Sequence, residues 1–146
     1  MDIGRQRLPH NCPLFVDPST SVWFVTISCA ERGTSQLTAP EASKALLDSV
    51  RFRHEQSHWF THLFLLMPDH CHVLLTFSPE RKIAETIQHW KRWTSSHIGI
   101  RWQTDFFDHR LRNQESFSAK YRYILQNPIR ANLIPEDSDW PHMWIP

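Results

Sequence analysis

Residues 59–77 read WFTHLFLLMPDHCHVLLTF. Two apolar runs rich in aromatic and branched side chains flank Pro68 and Asp69, a turn-forming pair. The pattern predicts a strand from Trp59 to Met67, a tight turn, and a strand from His70 to Phe77, joined as a hairpin. Upstream, residues 21–29 read SVWFVTISC, a run without Pro or Gly that predicts a buried strand. Between them Pro40 suits the first turn of a helix, with Thr38 or Ala39 before it. That helix is expected to reach about Gln56 and to bury Ala42, Leu46, Val50 and Leu47.

Downstream, Ser78 is expected to cap a second helix with Pro79 at its first position. Ile83, Ile87, Trp90 and Thr94 then recur at helical spacing. Residues 106–111 suggest a fourth strand. Asn113 or Glu115 opens a last helix that should end near Asn127 and Pro128, since the residue before proline resists the α conformation. The order β-α-β-β-α-β-α matches the ferredoxin-like split βαβ pattern. This is an α+β fold with a central antiparallel sheet and helices expected on one face. The 146 residues suit one domain, 1–146, with an irregular arm over 1–20 and a Pro- and Trp-containing coil tail over 131–146.

Apolar residues make up 40% of the chain, enough for a core, and no apolar run approaches the roughly 20 residues of a membrane span. The polar, basic start lacks a signal core, so a cytoplasmic, membrane-free protein is expected. Three cysteines without a CxxC pair argue against both a disulfide framework and a thiolate zinc site. They read as small buried residues. Net charge is only +1 but uneven: residues 81–130 hold ten Lys and Arg against four Asp and Glu, and the rest holds six against eleven. Such asymmetry points to a polyanion-binding half.

Strand geometry sharpens the HCH triplet. Side chains at i and i+2 share a face, so His70 and His72 project together while Cys71 points the other way. Two imidazoles can chelate a divalent cation but leave the coordination sphere open to oxygen ligands, water and a substrate phosphate. Tyr123 and Asn127, four apart on the last helix, share a helix face. A phenol can attack phosphorus, and the amide oxygen of Asn127 can join the same cation. The plainer readings are two polar residues on a half-exposed strand and an aromatic beside Ile124 in the core. His54 and His58 are also four apart, but their place near a helix C-terminus explains them electrostatically. Asp69 reads as a turn residue and Trp102 as core.

At residues 67–75, MPDHCHVLL, the chain resembles the HUH segment of Y1 transposases of the IS200/IS605 type. Residues 121–133, YRYILQNPIRANL, resemble the tyrosine-bearing helix of their REP-associated branch. Trp102 with Gln103, residues 107–112 (FDHRLR), residues 22–26 and Trp140 with Pro141 extend the likeness over nearly the whole chain. Cys71 departs from the aliphatic residue usual between the histidines. The short length leaves no room for an added DNA-binding domain.

The resemblance implies metal-dependent cleavage and rejoining of single-stranded or hairpin DNA. In it Tyr123, rather than Tyr121, is the nucleophile that retains the 5′ phosphate. His70, His72 and Asn127 are the ligands of Mg2+ or Mn2+. It further implies a monomer, with a dimer as the alternative. Lys91, Arg92, Arg110, Arg112, Arg122 and Arg130 are candidates for DNA contact. The other function classes open at this point are a catalytically silent DNA-binding protein and a metal-dependent phosphohydrolase.

Overall fold

A computed structural model describes residues 21–146; the arm over 1–20, with His10 and Cys12, lies outside them. The elements are β1 (Trp23–Ser28), α1 (Pro40–Glu55), β2 (Trp59–Leu66), β3 (His70–Phe77), α2 (Ile83–Ile98), β4 (Phe107–Arg110), α3 (Gln114–Leu125), α4 (Asn127–Arg130) and β5 (Met143–Trp144). The sheet order is β4-β1-β3-β2-β5. β3 is antiparallel to both β1 and β2, so those two run parallel and the β1-α1-β2 unit is split by β3. This is the ferredoxin-like arrangement, and the hairpin of residues 59–77 is its centre.

β2 and β3 carry near-continuous apolar runs because the sheet is covered on both faces. One face, with Trp23, Val25, Ile27, Phe64, Cys71 and Val73, packs under α1 and α2. Trp90 of α2 lies fully buried there, and its Nε1–H donates to Ser49 Oγ of α1 at 2.9 Å. Trp102 packs against Trp90 at 5.3 Å and donates to Thr94 Oγ1, the core role expected of it. The opposite face, with Phe24, Leu63, Leu65 and Leu74, is closed by Ile124, Phe117, Tyr121 and Leu125 of α3. Helices therefore cover both faces, not one. Without α3 the second face would leave a row of large apolar side chains in water.

Three local expectations shift. Ser78 and Pro79 form a turn, closed by Arg81 N–H to Ser78 O at 3.1 Å, and α2 begins only after Lys82. The last helix ends at Leu125. Gln126 sits at φ −88°, ψ −2°, and Asn127 opens the short α4 with Pro128 in its first turn, where a missing N–H costs nothing. The tail is not all coil. β5 pairs Met143 with Leu65 and Trp144 with Phe64, covering the β2 edge. Trp140 Nε1–H anchors the approach by donating to Leu66 O at 2.8 Å. Among the described residues no helix is long and apolar enough to cross a membrane.

Candidate active site on the histidine face of the sheet

Alternation along β3 puts His70 and His72 on the α3 side and buries Cys71 on the other. Register then sets their neighbours. Thr26 of β1 and Leu65 of β2 lie opposite His72, and Ser28 lies opposite His70. The two rings approach edge to face with centroids 4.7 Å apart.

Each ring is held by Nδ1. His70 Nδ1 lies 2.8 Å from Asp69 Oδ1. Burial opposes the charge on Asp69. Donors from Arg32, the Gly33 N–H and His70 outweigh it and hold the carboxyl well below its usual pKa. An ionised carboxylate only accepts, so Nδ1 of His70 carries the proton of that contact, and in the neutral ring Nε2 keeps its lone pair. His72 Nδ1 lies 2.9 Å from Thr26 Oγ1. Burial pushes the His72 pKa down to about 3, helped by the charges of His70, Lys120, Arg130 and Arg32. His72 is therefore neutral at physiological pH, and the tautomer that donates to Thr26 also leaves Nε2 free. Orienting partners of this kind are characteristic of metal-binding imidazoles.

α3 starts where Asn113 Oδ1 accepts from Ser116 N–H at 2.8 Å, which caps the helix. Tyr121 packs inward on Phe117, with centroids 5.7 Å apart. Tyr123 instead is 48% exposed, so the plain reading of it as a core aromatic does not hold. Its ring is flanked by Lys120 Nζ at 4.9 Å and the Arg130 guanidinium at 4.1 Å. Arg130 also donates to the Tyr123 carbonyl at 2.9 Å. Lys120 Nζ lies 4.6 Å over Phe24, whose ring stacks on His72 at 5.5 Å. Contacts thus run unbroken from Tyr123 through Lys120 and Phe24 to His72.

Asn127 does not share a continuous helix with Tyr123, because the break at Gln126 intervenes. Its Nδ2 is buried with no hydrogen-bond partner. Amide ends are interchangeable in such assignments, and an oxygen turned to that place suits a hard cation. Among the described residues no group of three His, Cys, Asp or Glu side chains is gathered for a metal. Among the described residues, the orphaned amide of Asn127 would be a fitting third ligand beside the histidines.

The basic candidates separate. Lys91 is not available to phosphate, nor is it on a solvated helix face. It is buried, and its ammonium donates to the carbonyls of Gln103, Thr104 and Asp105 at 2.7, 3.3 and 3.1 Å. Arg92 is exposed on α2, across the sheet from the histidines. Arg110 and Arg112 line a cavity of about 510 Å³ beside Phe117 and His62, near the start of α3. Arg122 is exposed on α3. His54 and His58 do not form a pair on one helix face: α1 ends at Glu55 and Ser57 turns the chain with φ 62°.

Thr26, Asp69, Arg32 and Lys120 were missed as site residues. Asp69 was visible beside His70, and Lys120 one turn before Tyr123. Nothing local marks Thr26 or Arg32, which arrive through strand pairing and a loop contact.

A family model described as transposase, IS200-like, matches residues 21–127. The chain belongs to the IS200-like transposase family. It is 22% identical to the REP-associated tyrosine transposase of Escherichia coli K12 over 122 residues, covering 82% of this chain and 73% of that protein. A solved structure of a REP-associated tyrosine transposase bound to a REP hairpin superposes with TM-score 0.75 at 20% identity, over 90% of this chain and 79% of that one. A Deinococcus radiodurans R1 protein described as a candidate transposase superposes with TM-score 0.51 at 18% identity, over 80% of this chain and 95% of that one. At these identities the superpositions bear on the fold.

Proposed function

We propose that this chain cleaves and rejoins single-stranded DNA at hairpin-forming sequence, with Tyr123 as nucleophile. The observation that carries this reading is the anchoring of both histidines by Nδ1, with both Nε2 atoms left for a ligand, on the face against which the Tyr123 helix packs. His70, His72 and Asn127 would hold Mg2+ or Mn2+, which when bound polarises the scissile phosphate. Lys120 and Arg130 flank the phenol and offer positive charge to the incoming phosphodiester. The Tyr123 oxygen attacks phosphorus and loses its proton to solvent. The bond from phosphorus to the 3′ oxygen breaks, and that oxygen takes up a proton to leave a 3′ hydroxyl. The 5′ phosphate stays on Tyr123 until a 3′ hydroxyl reverses the step.

Arg110, Arg112, Arg122 and Arg130 are assigned to DNA contact, because three are exposed or line a cavity on this face and the fourth lies on the Tyr123 ring. The reading extends to a monomer acting in the cytoplasm.

The test is a trapping assay on hairpin DNA with a neighbouring single-stranded target. Wild type should form a protein-DNA adduct only with Mg2+ or Mn2+ present. Tyr123→Phe should bind the hairpin and form no adduct. Adduct formation by Tyr123→Phe would move the nucleophile, first of all to Tyr121, and an adduct formed in EDTA would remove the metal.

A further inference from the structure

A cavity of about 730 Å³ lies on the face of the sheet opposite His70 and His72. Arg53, Arg81, Arg92, His58 and His89 line it. Glu80 and Glu85 also border it, but Lys82 lies 3.9 Å from Glu85 and offsets one of them. Arg53 is the informative member. It is 5% exposed, its guanidinium lies over Trp93 at 5.2 Å, and it donates to Ser49 O at 3.3 Å. Among the described residues no carboxylate pairs with it. A buried guanidinium without a counter-ion is costly to desolvate, and an anion in the adjoining space relieves that cost. Burial lowers the Arg53 pKa, and His58 is lowered by burial and by the charges of Arg81, Arg53 and His89. The guanidinium groups of Arg53, Arg81 and Arg92 thus share this space, with Arg53 lacking a carboxylate partner among the described residues.

The backbone adds to this. Ala84 and Glu85 of the first turn of α2 border the cavity, and no side chain caps that sixteen-residue helix. The cavity then runs along the side of α2 past Gln88, His89 and Arg92, near the positive end of the helix. Arginine forks and histidines around a solvent-open cavity are the chemistry that receives phosphate oxygens.

We propose that this cavity binds the phosphodiester backbone of DNA lying outside the hairpin, as a second contact on the side of the molecule away from Tyr123. The inference rests on the reading of the chain as a hairpin-DNA enzyme. A strand leaving the histidine face must round the sheet edge and one helix layer, roughly 20–25 Å. At about 3.4 Å per stacked nucleotide that takes at least seven or so nucleotides, so an extension of about 15 suffices. Arg92, set apart from the histidines by the fold, regains a role in this position.

Arg81 and Arg92 are exposed, so charge reversal at both leaves the core untouched. Fluorescence anisotropy should be run with a bare hairpin and with the same hairpin carrying the extension. Wild type should bind the extended DNA about tenfold or more tighter. Arg81→Glu with Arg92→Glu should erase that gain and lower the salt slope on extended DNA by about 1.4, two single-strand phosphate contacts. Affinity for the bare hairpin, and adduct yield on the hairpin with only its short cleavage target, should not change. An extension that adds nothing in wild type, or a gain that survives in the variant, overturns the inference while leaving the hairpin reading standing. Inorganic phosphate that shifts the His58 and His89 ring resonances, without any gain from the DNA extension, makes this a free-anion site and overturns it equally. Failure of wild type to bind either DNA overturns the hairpin reading and this inference together.

Discussion

Asp69→Asn is nearly isosteric, yet it should disable His70 as a ligand. Asp69 Oδ2 accepts from Gly33 N–H at 2.7 Å and Arg32 Nε at 3.0 Å. An asparagine must keep its oxygen there, since an NH2 would face two donors. Its NH2 then occupies the Oδ1 position, 2.8 Å from His70 Nδ1. That nitrogen must now accept, so the imidazole proton moves to Nε2 and the lone pair proposed to meet a metal is lost. Loss of a partner that orients a ligating histidine weakens metal affinity about 10–100-fold, or about 1.4–2.7 kcal/mol. That range agrees with about 1.5–3 kcal/mol for a hydrogen bond to a charged group. Calorimetric titration of the full chain with Mn2+ measures it directly. Arg32→Gln serves as control: its ion pair with Asp69 is largely exposed on the arginine side, and the His70 contact survives, so affinity should fall less than about threefold. If the asparagine variant, with native circular dichroism, binds Mn2+ within about twofold of wild type, Asp69 does not set the tautomer of His70.

Other consequences follow from buried groups off the histidine face of the sheet. Lys91→Met keeps the side-chain stem but strips three loop carbonyls of their donor. It should cost about 2 kcal/mol of stability, roughly 4–8 °C in thermal midpoint, with hairpin affinity unchanged at a temperature where the variant is folded. A selective loss of DNA binding without loss of stability would restore Lys91 to the interface. Cys29 and Cys71 are both buried, and burial pushes Cys29 up to about 11 and raises Cys71 as well. Native protein at pH 8 should leave both unalkylated by mass spectrometry, while denatured protein reacts fully. The raised thiol keeps its proton longer in the folded state, so its contribution is intact below about pH 9 and fades as pH rises toward 11. Thermal midpoints compared over that window should fall less steeply in Cys29→Ala than in wild type; parallel slopes would contradict the burial argument.

The hairpin at residues 59–77 was legible in the chain because its information is local. Alternation puts His70 and His72 on one face, and Pro68 with Asp69 turns the chain whatever lies around it. The uneven charge was equally plain, but not its division. Nothing local separates Lys91, whose ammonium closes a loop inside the fold, from Arg92 beside it, which faces solvent. The same limit applied to the α3 face. The apolar stripe of Phe117, Tyr121 and Ile124 shows that α3 must bury one side, but only the closed sheet, with α1 and α2 already on its other face, sends it to the histidines.

Tertiary structure alone decided what completes the site. Thr26 meets His72 across 46 positions of sequence because β1 lies beside β3 in antiparallel register. Arg32 reaches Asp69 because the loop after β1 closes over the turn between β2 and β3. Side-chain period is set by neighbours a few residues away, so a sequence states which residues can share a face. Partner strand, register and burial depend on the whole chain closing on itself, and these orient the two histidines on one face through Asp69 and Thr26 and bury His72.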